Sequence, residues 1–310
     1  MPVDGLNLFV TGATGFVGSH FVDAALAQGH RITAWVRPGT RSGLFEREDR
    51  VSFVDVPMGA GEGFAQLLPG HDAVVHFAWS SDPVRGWQDP LAEVESNLGM
   101  AVQLFEACCE AGVKKILFPS SGGTVYGHQE GPISEEAVPR PFNPYGIGKL
   151  TAEHFLAYYR QRAGIAADVF RIGNAYGPRQ RTDKPQGVIA RWMAQVVAGE
   201  TIEVFGGAET YRDYIHVQDV AALMLLGLDD LTHSAVYNLG TGVGTSILEL
   251  LELFKTAIPV PFEAHVAPRR DLDNTSCILD VSRLLARAPG FQFRKLADEL
   301  GPTWQQLIDP

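Results

Sequence analysis

Tyr145 and Lys149 stand four residues apart in "NPYGIGKLTAEHFLAYYRQRA", residues 143–163. The stretch has helical character and ends at Gly164, a helix stop. On a helix, residues four apart share a face. A lysine ammonium beside a phenol favours the phenolate and draws its pKa down from about 10 toward working pH. Such a tyrosine can act as a general base toward a hydroxyl. Further along, "SSGGTVYG", residues 120–127, carries hydroxyls at Ser121 and Thr124. No His, Cys, Asp or Glu grouping has metal-ligand spacing, so no metal is expected.

A second chemical signal is "TGATGFVG", residues 11–18. Gly12, Gly15 and Gly18 fall between a first strand and its helix. There they allow a tight turn, close backbone approach to a pyrophosphate, and close helix–strand packing. Thr14, Phe16 and Val17 fill the same turn, whose helix N-terminus adds partial positive charge.

The elements that must position these residues alternate strand and helix. Strands are read at 6–10, 31–36, 51–56, 73–77, 115–119 and 167–172, and helices at 15–28, 91–111 and 145–163. Alternation of this kind gives an α/β chain with a doubly wound parallel sheet. Its nearly unbroken apolar strands suit burial on both faces. After Gly177 the pattern loosens, with helices near 188–198 and 219–228. Residues 1–177 are read as the dinucleotide-binding domain. Residues 178–310 are read as a smaller substrate lobe, interleaved where C-terminal segments return to the sheet.

The chain has 310 residues, 45% hydrophobic, and a net charge of -11. An acidic surface disfavours nucleic acid, which needs a basic footprint. No apolar run approaches the ~18 residues of a membrane span. Three cysteines without a disulfide framework and no leader pattern make a cytoplasmic protein the expectation.

Taken in order, "TGATGFVG", "VVHFA", "SSGGTVYG", "NPYGIGK", "RIGNAYGPRQ" and "YRDYIHVQDV" resemble the extended short-chain dehydrogenase/reductases. Within these the chain is most similar to the nucleotide-sugar epimerases of the UDP-glucose 4-epimerase type, across about residues 6 to 285. The resemblance implies a Rossmann fold, a bound NAD(P) and a homodimer through the helices 91–111 and 145–163. It implies that Lys149 also holds the nicotinamide ribose, and that Asp55, Val56, Phe77 and Ala78 line the cofactor. Asn174, Arg212 and Arg270 would grip the diphosphate of a nucleotide-sugar substrate, with Arg269 and Arg179 as further cations. Asn97 would reach the cofactor region or stand solvated on its helix, and His76 would be structural. The chain departs from the family pattern in two places. Gly122 stands where sugar epimerases carry the third hydroxyl of their triad, a place for which Thr124, on the same side of an extended segment, is favoured over Ser121. Trp79 stands where the best-known type has glycine, so "WSSDP" would shape a different sugar pocket.

The Asp-Glu pair that 4,6-dehydratases need before "VYG" is replaced by Gly123 and Thr124. The implied reaction is therefore 4-epimerisation through a 4-keto intermediate. NADPH-dependent reduction of a 4-keto nucleotide sugar is the second reading, and a non-catalytic cofactor sensor or scaffold the third. NAD sites usually place a carboxylate at the end of the second strand. Here that place is Val36, followed by Arg37, which with Arg41 could pair with a 2′-phosphate. This tips the expectation toward NADP, with NAD left open.

Overall fold

Short apolar stretches without a polar alternate make the strands of the computed structural model. It describes residues 5–37, 39, 45, 47–55, 63–129, 131–182, 187–207, 209–268 and 276–309. Val56, Arg41, Arg269 and Arg270 lie outside the described residues.

A seven-stranded sheet runs, edge to edge, through Ala235–Leu239, Ala166–Ile172, Lys115–Ser121, Ala73–His76, Asn7–Thr11, Arg31–Val36 and Val51–Asp55. Every pairing in it is parallel. The chain reverses its winding direction between Asn7–Thr11 and Ala73–His76, which opens a crevice at the carboxyl ends of those two strands. Both faces of the sheet are covered. Phe21, Val22 and Leu26, from the helix Phe16–Ala27, pack one face together with Val220 and Met224. Leu104, Phe105 and Leu156, from the helices Gly99–Glu110 and Pro144–Ala163, pack the other.

The strand Ala235–Leu239, within the stretch read as substrate lobe, is an edge of this large sheet. Conversely, Pro132–Ile133 pairs with Ser276–Leu279 in a smaller sheet built around Tyr211–His216. A third core, including Trp192, Phe254 and Trp304, lies in the C-terminal part.

Two elements differ from the sequence reading in ways that bear on the site. The helix expected over 91–111 is broken into Pro90–Ala92, a π-helical turn Glu93–Leu98, and Gly99–Glu110. The segment holding Thr124 is a helical turn, Gly122–Val125, and not extended chain. A Cβ on Gly122 would fall 2.7 Å from Leu279 Cδ1 and 3.0 Å from the Arg171 carbonyl oxygen. Packing therefore admits no side chain there without a shift, and the period-two argument for Thr124 does not apply.

Candidate active site

The helix Pro144–Ala163 begins at the crevice. Asn143 caps it, its side-chain oxygen accepting from the Gly146 amide at 2.7 Å, and Pro144 fits the first turn. Tyr145 is thereby fixed in the first turn, and Lys149 follows one turn later. Both line a cavity of about 520 Å³. The same cavity is lined by Gly12, Gly15, Phe16, Val17, Gly18 and Phe77 at one end. Ser121 and Thr124 line its middle, and Asn174 and Arg212 its far end. Thr14, Arg37, Asp55 and Ala78 are not among its lining residues; Arg37 and Asp55 are exposed at the ends of neighbouring strands.

The glycine turn has the shape of a phosphate cradle. Gly12 has φ +67°, and a Cβ on it would lie 2.6 Å from the Ala78 amide nitrogen. A Cβ on Gly18 would lie 2.3 Å from the Gly12 carbonyl oxygen. Gly15 caps the helix Phe16–Ala27 with no side-chain hydrogen bond, so the first helical amides are left for a ligand. These residues fit the pyrophosphate of a dinucleotide.

Lys149 is almost fully buried. Its Nζ donates to the Pro119 carbonyl oxygen at 2.9 Å and lies over the Trp79 and Phe118 rings, 3.9 and 4.8 Å from their centres. Burial pushes its pKa down to about 7, against the opposing pull of Glu93 and Glu153. The Tyr145 phenol is pushed up, not down: burial dominates, and the Glu93 and Asp82 carboxylates add to it. The expected phenolate-favouring effect of Lys149 is outweighed. Its ammonium is engaged at Pro119 and lies 5.8 Å from the Tyr145 ring centre.

Ser121 and Thr124 differ in access. Thr124 Oγ1 is sealed from solvent and has no hydrogen-bond partner. Ser121 is half-buried, and its Oγ lies 4.0 Å from the point where a Cβ on Gly123 would sit. That point is 3.7 Å from Asn174 Oδ1, which puts Ser121 on the side of the cavity that Asn174 faces.

At the far end, Asn174 and Arg212 come from neighbouring strands, Asn174 lying opposite Tyr214 in the ladder. Gln180, Arg191, Phe205, Thr210 and Tyr214 also line this end and were missed from sequence. Thr210 and Tyr214 leave buried hydroxyls without partners, a feature of polar walls that await a ligand. Arg179 does not line the cavity; it pairs with Asp23 at 2.6 Å. Asn97 neither lines the cavity nor stands solvated. It is buried and accepts from the Ser80 amide and hydroxyl at 2.7 and 2.9 Å. His76 is buried, bonded through Nδ1 to Thr11 Oγ1 at 2.7 Å, and held neutral, its pKa pushed to about 3 mainly by burial.

Ser81 and Asp82, which follow Trp79 in "WSSDP", also line the cavity, and Glu93, bonded to Ser81, is a further residue that sequence reading missed. A carboxylate behind a proline-led turn, as in "SSDPV", was the available signal for Asp82. Nothing in the spacing of Glu93 marked it out, because the π-helical turn that holds it departs from the regular helix expected there.

Residues 8–240 match the NAD dependent epimerase/dehydratase family. The UDP-glucose 4-epimerase of Mycolicibacterium smegmatis is 33% identical over 285 residues, covering 87% of this chain and 90% of that protein. The dTDP-4-dehydro-6-deoxyglucose reductase of Escherichia coli is 25% identical over 287 residues, 90% of each. The solved UDP-glucose-4-epimerase of Stenotrophomonas maltophila, with bound NAD and formylated UDP-arabinopyranose, is 31% identical. It superposes with a TM-score of 0.89, covering 98% of both chains. The glycine cradle, the Tyr145–Lys149 pair and the parallel sheet thus occur in a chain that belongs to the NAD dependent epimerase/dehydratase family, enzymes of the extended short-chain dehydrogenase/reductase type.

Proposed function

We propose that the chain is a nucleotide-sugar 4-epimerase, of the UDP-hexose type, working with a bound nicotinamide dinucleotide. The observation that carries this reading is the single cavity joining the glycine cradle, the Tyr145–Lys149 pair and the Asn174–Arg212 end. A bound nicotinamide would accept and return hydride at the sugar carbon. The chain's own residues handle the rest. Arg212 and Asn174 hold the diphosphate. Arg270, outside the described residues, is proposed as the second phosphate cation on sequence grounds. Tyr145 takes the proton from the sugar O4 and returns it after the 4-keto sugar has turned. Lys149 supplies a positive charge beside the phenol, against the opposing action of burial, Glu93 and Asp82, and holds the nicotinamide ribose. Ser121, the more accessible hydroxyl, is preferred to Thr124 for steadying the sugar oxygen.

The preference for NADP drawn from Arg37 finds no support in the solved relative, which holds NAD; NAD is the cofactor proposed. A homodimer is proposed from exposed apolar side chains on the broken helix over 91–111 and on the helix Pro144–Ala163: Leu91, Val94, Ile147 and Tyr158. No helix among the described residues is long and apolar enough to cross a membrane. Three free thiols, Cys108, Cys109 and Cys277, support a reducing compartment, and the cytoplasm is proposed.

The test is incubation with UDP- and GDP-sugars without added cofactor. Interconversion of 4-epimers is expected. NADPH consumption with 4-keto sugars only would replace the reading by the reductase, which would use the same Tyr145 and Lys149. Cofactor binding with no turnover of either kind would leave a sensor.

A further inference from the structure

The π-helical turn Glu93–Leu98 carries two buried polar residues four apart, Glu93 and Asn97. Such turns are rare and collect at functional sites. Both side chains reach the loop that follows the strand Ala73–His76. Asn97 holds Ser80 as described above, and its Nδ2 donates to Ser81 Oγ at 3.0 Å. Glu93 Oε1 accepts from the Trp79 indole N–H at 2.8 Å, and Oε2 accepts from the Ser81 hydroxyl. Both of these donors are neutral, so the carboxylate charge acts on its surroundings. The carboxylate also lies against the catalytic helix. A Cβ on Gly148 would fall 2.7 Å from Glu93 Oε1, and one on Gly86 3.4 Å from Oε2. The glycine just before Lys149 thus makes room for Glu93.

We propose that Glu93 is a positioning residue: it clamps the Trp79 indole over the Lys149 ammonium and sets the charge balance of the Tyr145–Lys149 pair. The proposal rests on the reading of Tyr145 and Lys149 as the reaction pair. Other groups act on the pair from each packed element. Asp82 lies in the loop. Glu153, one helical turn beyond Lys149, is neutralised by Arg171 at 2.7 Å and bonded to Ser120. His76, from the strand beneath, stays neutral. Glu93 therefore acts on the pair without a paired cation of its own in these contacts. A negative charge nearby raises the pKa of the phenol and of the ammonium alike. Its removal moves both the same way.

The test compares wild type with Glu93→Gln, Glu93→Asp and Trp79→Phe. Two readouts are taken from about pH 6 to about pH 9, the span over which a group near neutrality titrates. One is the epimerase rate. The other is proton uptake on NAD binding, from calorimetry in buffers of different ionisation enthalpy, which needs no sugar. In Glu93→Gln the alkaline limb of the rate profile, set by Lys149, and the midpoint of proton uptake are expected to move down by about one pH unit. Glu93→Asp, which keeps the charge, is expected to restore the position. Trp79→Phe is expected to lower the rate with the profile in place. A profile that stays put in Glu93→Gln, or moves equally in Glu93→Asp, overturns the proposal. Should proton uptake shift as expected while wild type turns over no nucleotide sugar, the positioning role stands and the epimerase reading falls.

Discussion

The Lys149 ammonium lies 3.9 Å from the centre of the Trp79 indole and 5.8 Å from that of the Tyr145 ring. An ammonium over an indole face is held by the ring's quadrupole and shielded from water. Shielding lowers its pKa, and here burial brings it to about 7. The charge that Tyr145 needs is therefore available below about pH 7 and lost above it. The Lys149-dependent part of the rate is expected to fall as pH rises through that value, measured as kcat against pH. Lys149→Arg, whose guanidinium stays charged, is expected to lose the alkaline limb along with most of the rate.

The same shift has a consequence for stability. The folded pKa of Lys149 lies below its unfolded value of 10.5. Burying the charged form costs stability, fully below about pH 7, and the cost is relieved as pH rises toward 10.5. Lys149→Met is therefore expected to hold or raise the unfolding free energy at neutral pH, by on the order of 1 kcal/mol, with the thermal midpoint following it. The gain should vanish near the unfolded pKa, and a gain that grows with pH would contradict the assignment.

Tyr145→Phe removes the hydroxyl proposed to transfer the proton, and little else. A loss of about 10²- to 10⁴-fold in kcat is expected, with NAD binding retained. Stopped turnover with retained binding assigns the residue to chemistry; loss of both would assign it to the cofactor site.

Much of this was legible in advance. The order of strands and helices followed from apolar runs separated by glycine stops. The glycine turn, Tyr145 and Lys149 fall at one cavity because each is placed by local rules of turn, cap and helical spacing, while Asn174 and Arg212, which line it too, were legible only through the family resemblance. What stayed illegible depends on deviations from regular geometry. Glu93 and Asn97 are buried in a π-helical turn, whose departure from the regular helix expected over this stretch leaves no mark in the spacing of residues. The helical turn at Gly122–Val125 sets the access of Ser121 and Thr124, which a period of two does not describe. The direction of the Tyr145 shift comes first from its burial, to which the Glu93 and Asp82 charges of another segment add, and neither is read from the local spacing of Tyr145 and Lys149.

Ser121 and Thr124 can be separated by one substitution each. Thr124→Val replaces a buried hydroxyl that has no partner, so stability should hold or rise slightly, with a rate change under about threefold. Ser121→Ala removes the hydroxyl facing the cavity and is expected to lower kcat by about 10- to 100-fold with little change in thermal midpoint. The reverse pattern would return the role to Thr124.

A charge reversal at Arg37 tests the choice of cofactor. It is exposed at the end of the second strand, with Asp55 on the neighbouring strand beside Val36 in the ladder. A carboxylate in place of Arg37 would receive a ribose 2′-hydroxyl and repel a 2′-phosphate. With NAD as the cofactor, Arg37→Asp should keep or tighten NAD binding and weaken NADP binding by tenfold or so, about 1.4 kcal/mol. Direct titration of both dinucleotides into wild type and variant measures this. A wild type that binds NADP the more tightly, and loses that preference in Arg37→Asp, would make Arg37 the 2′-phosphate partner and overturn the assignment of NAD.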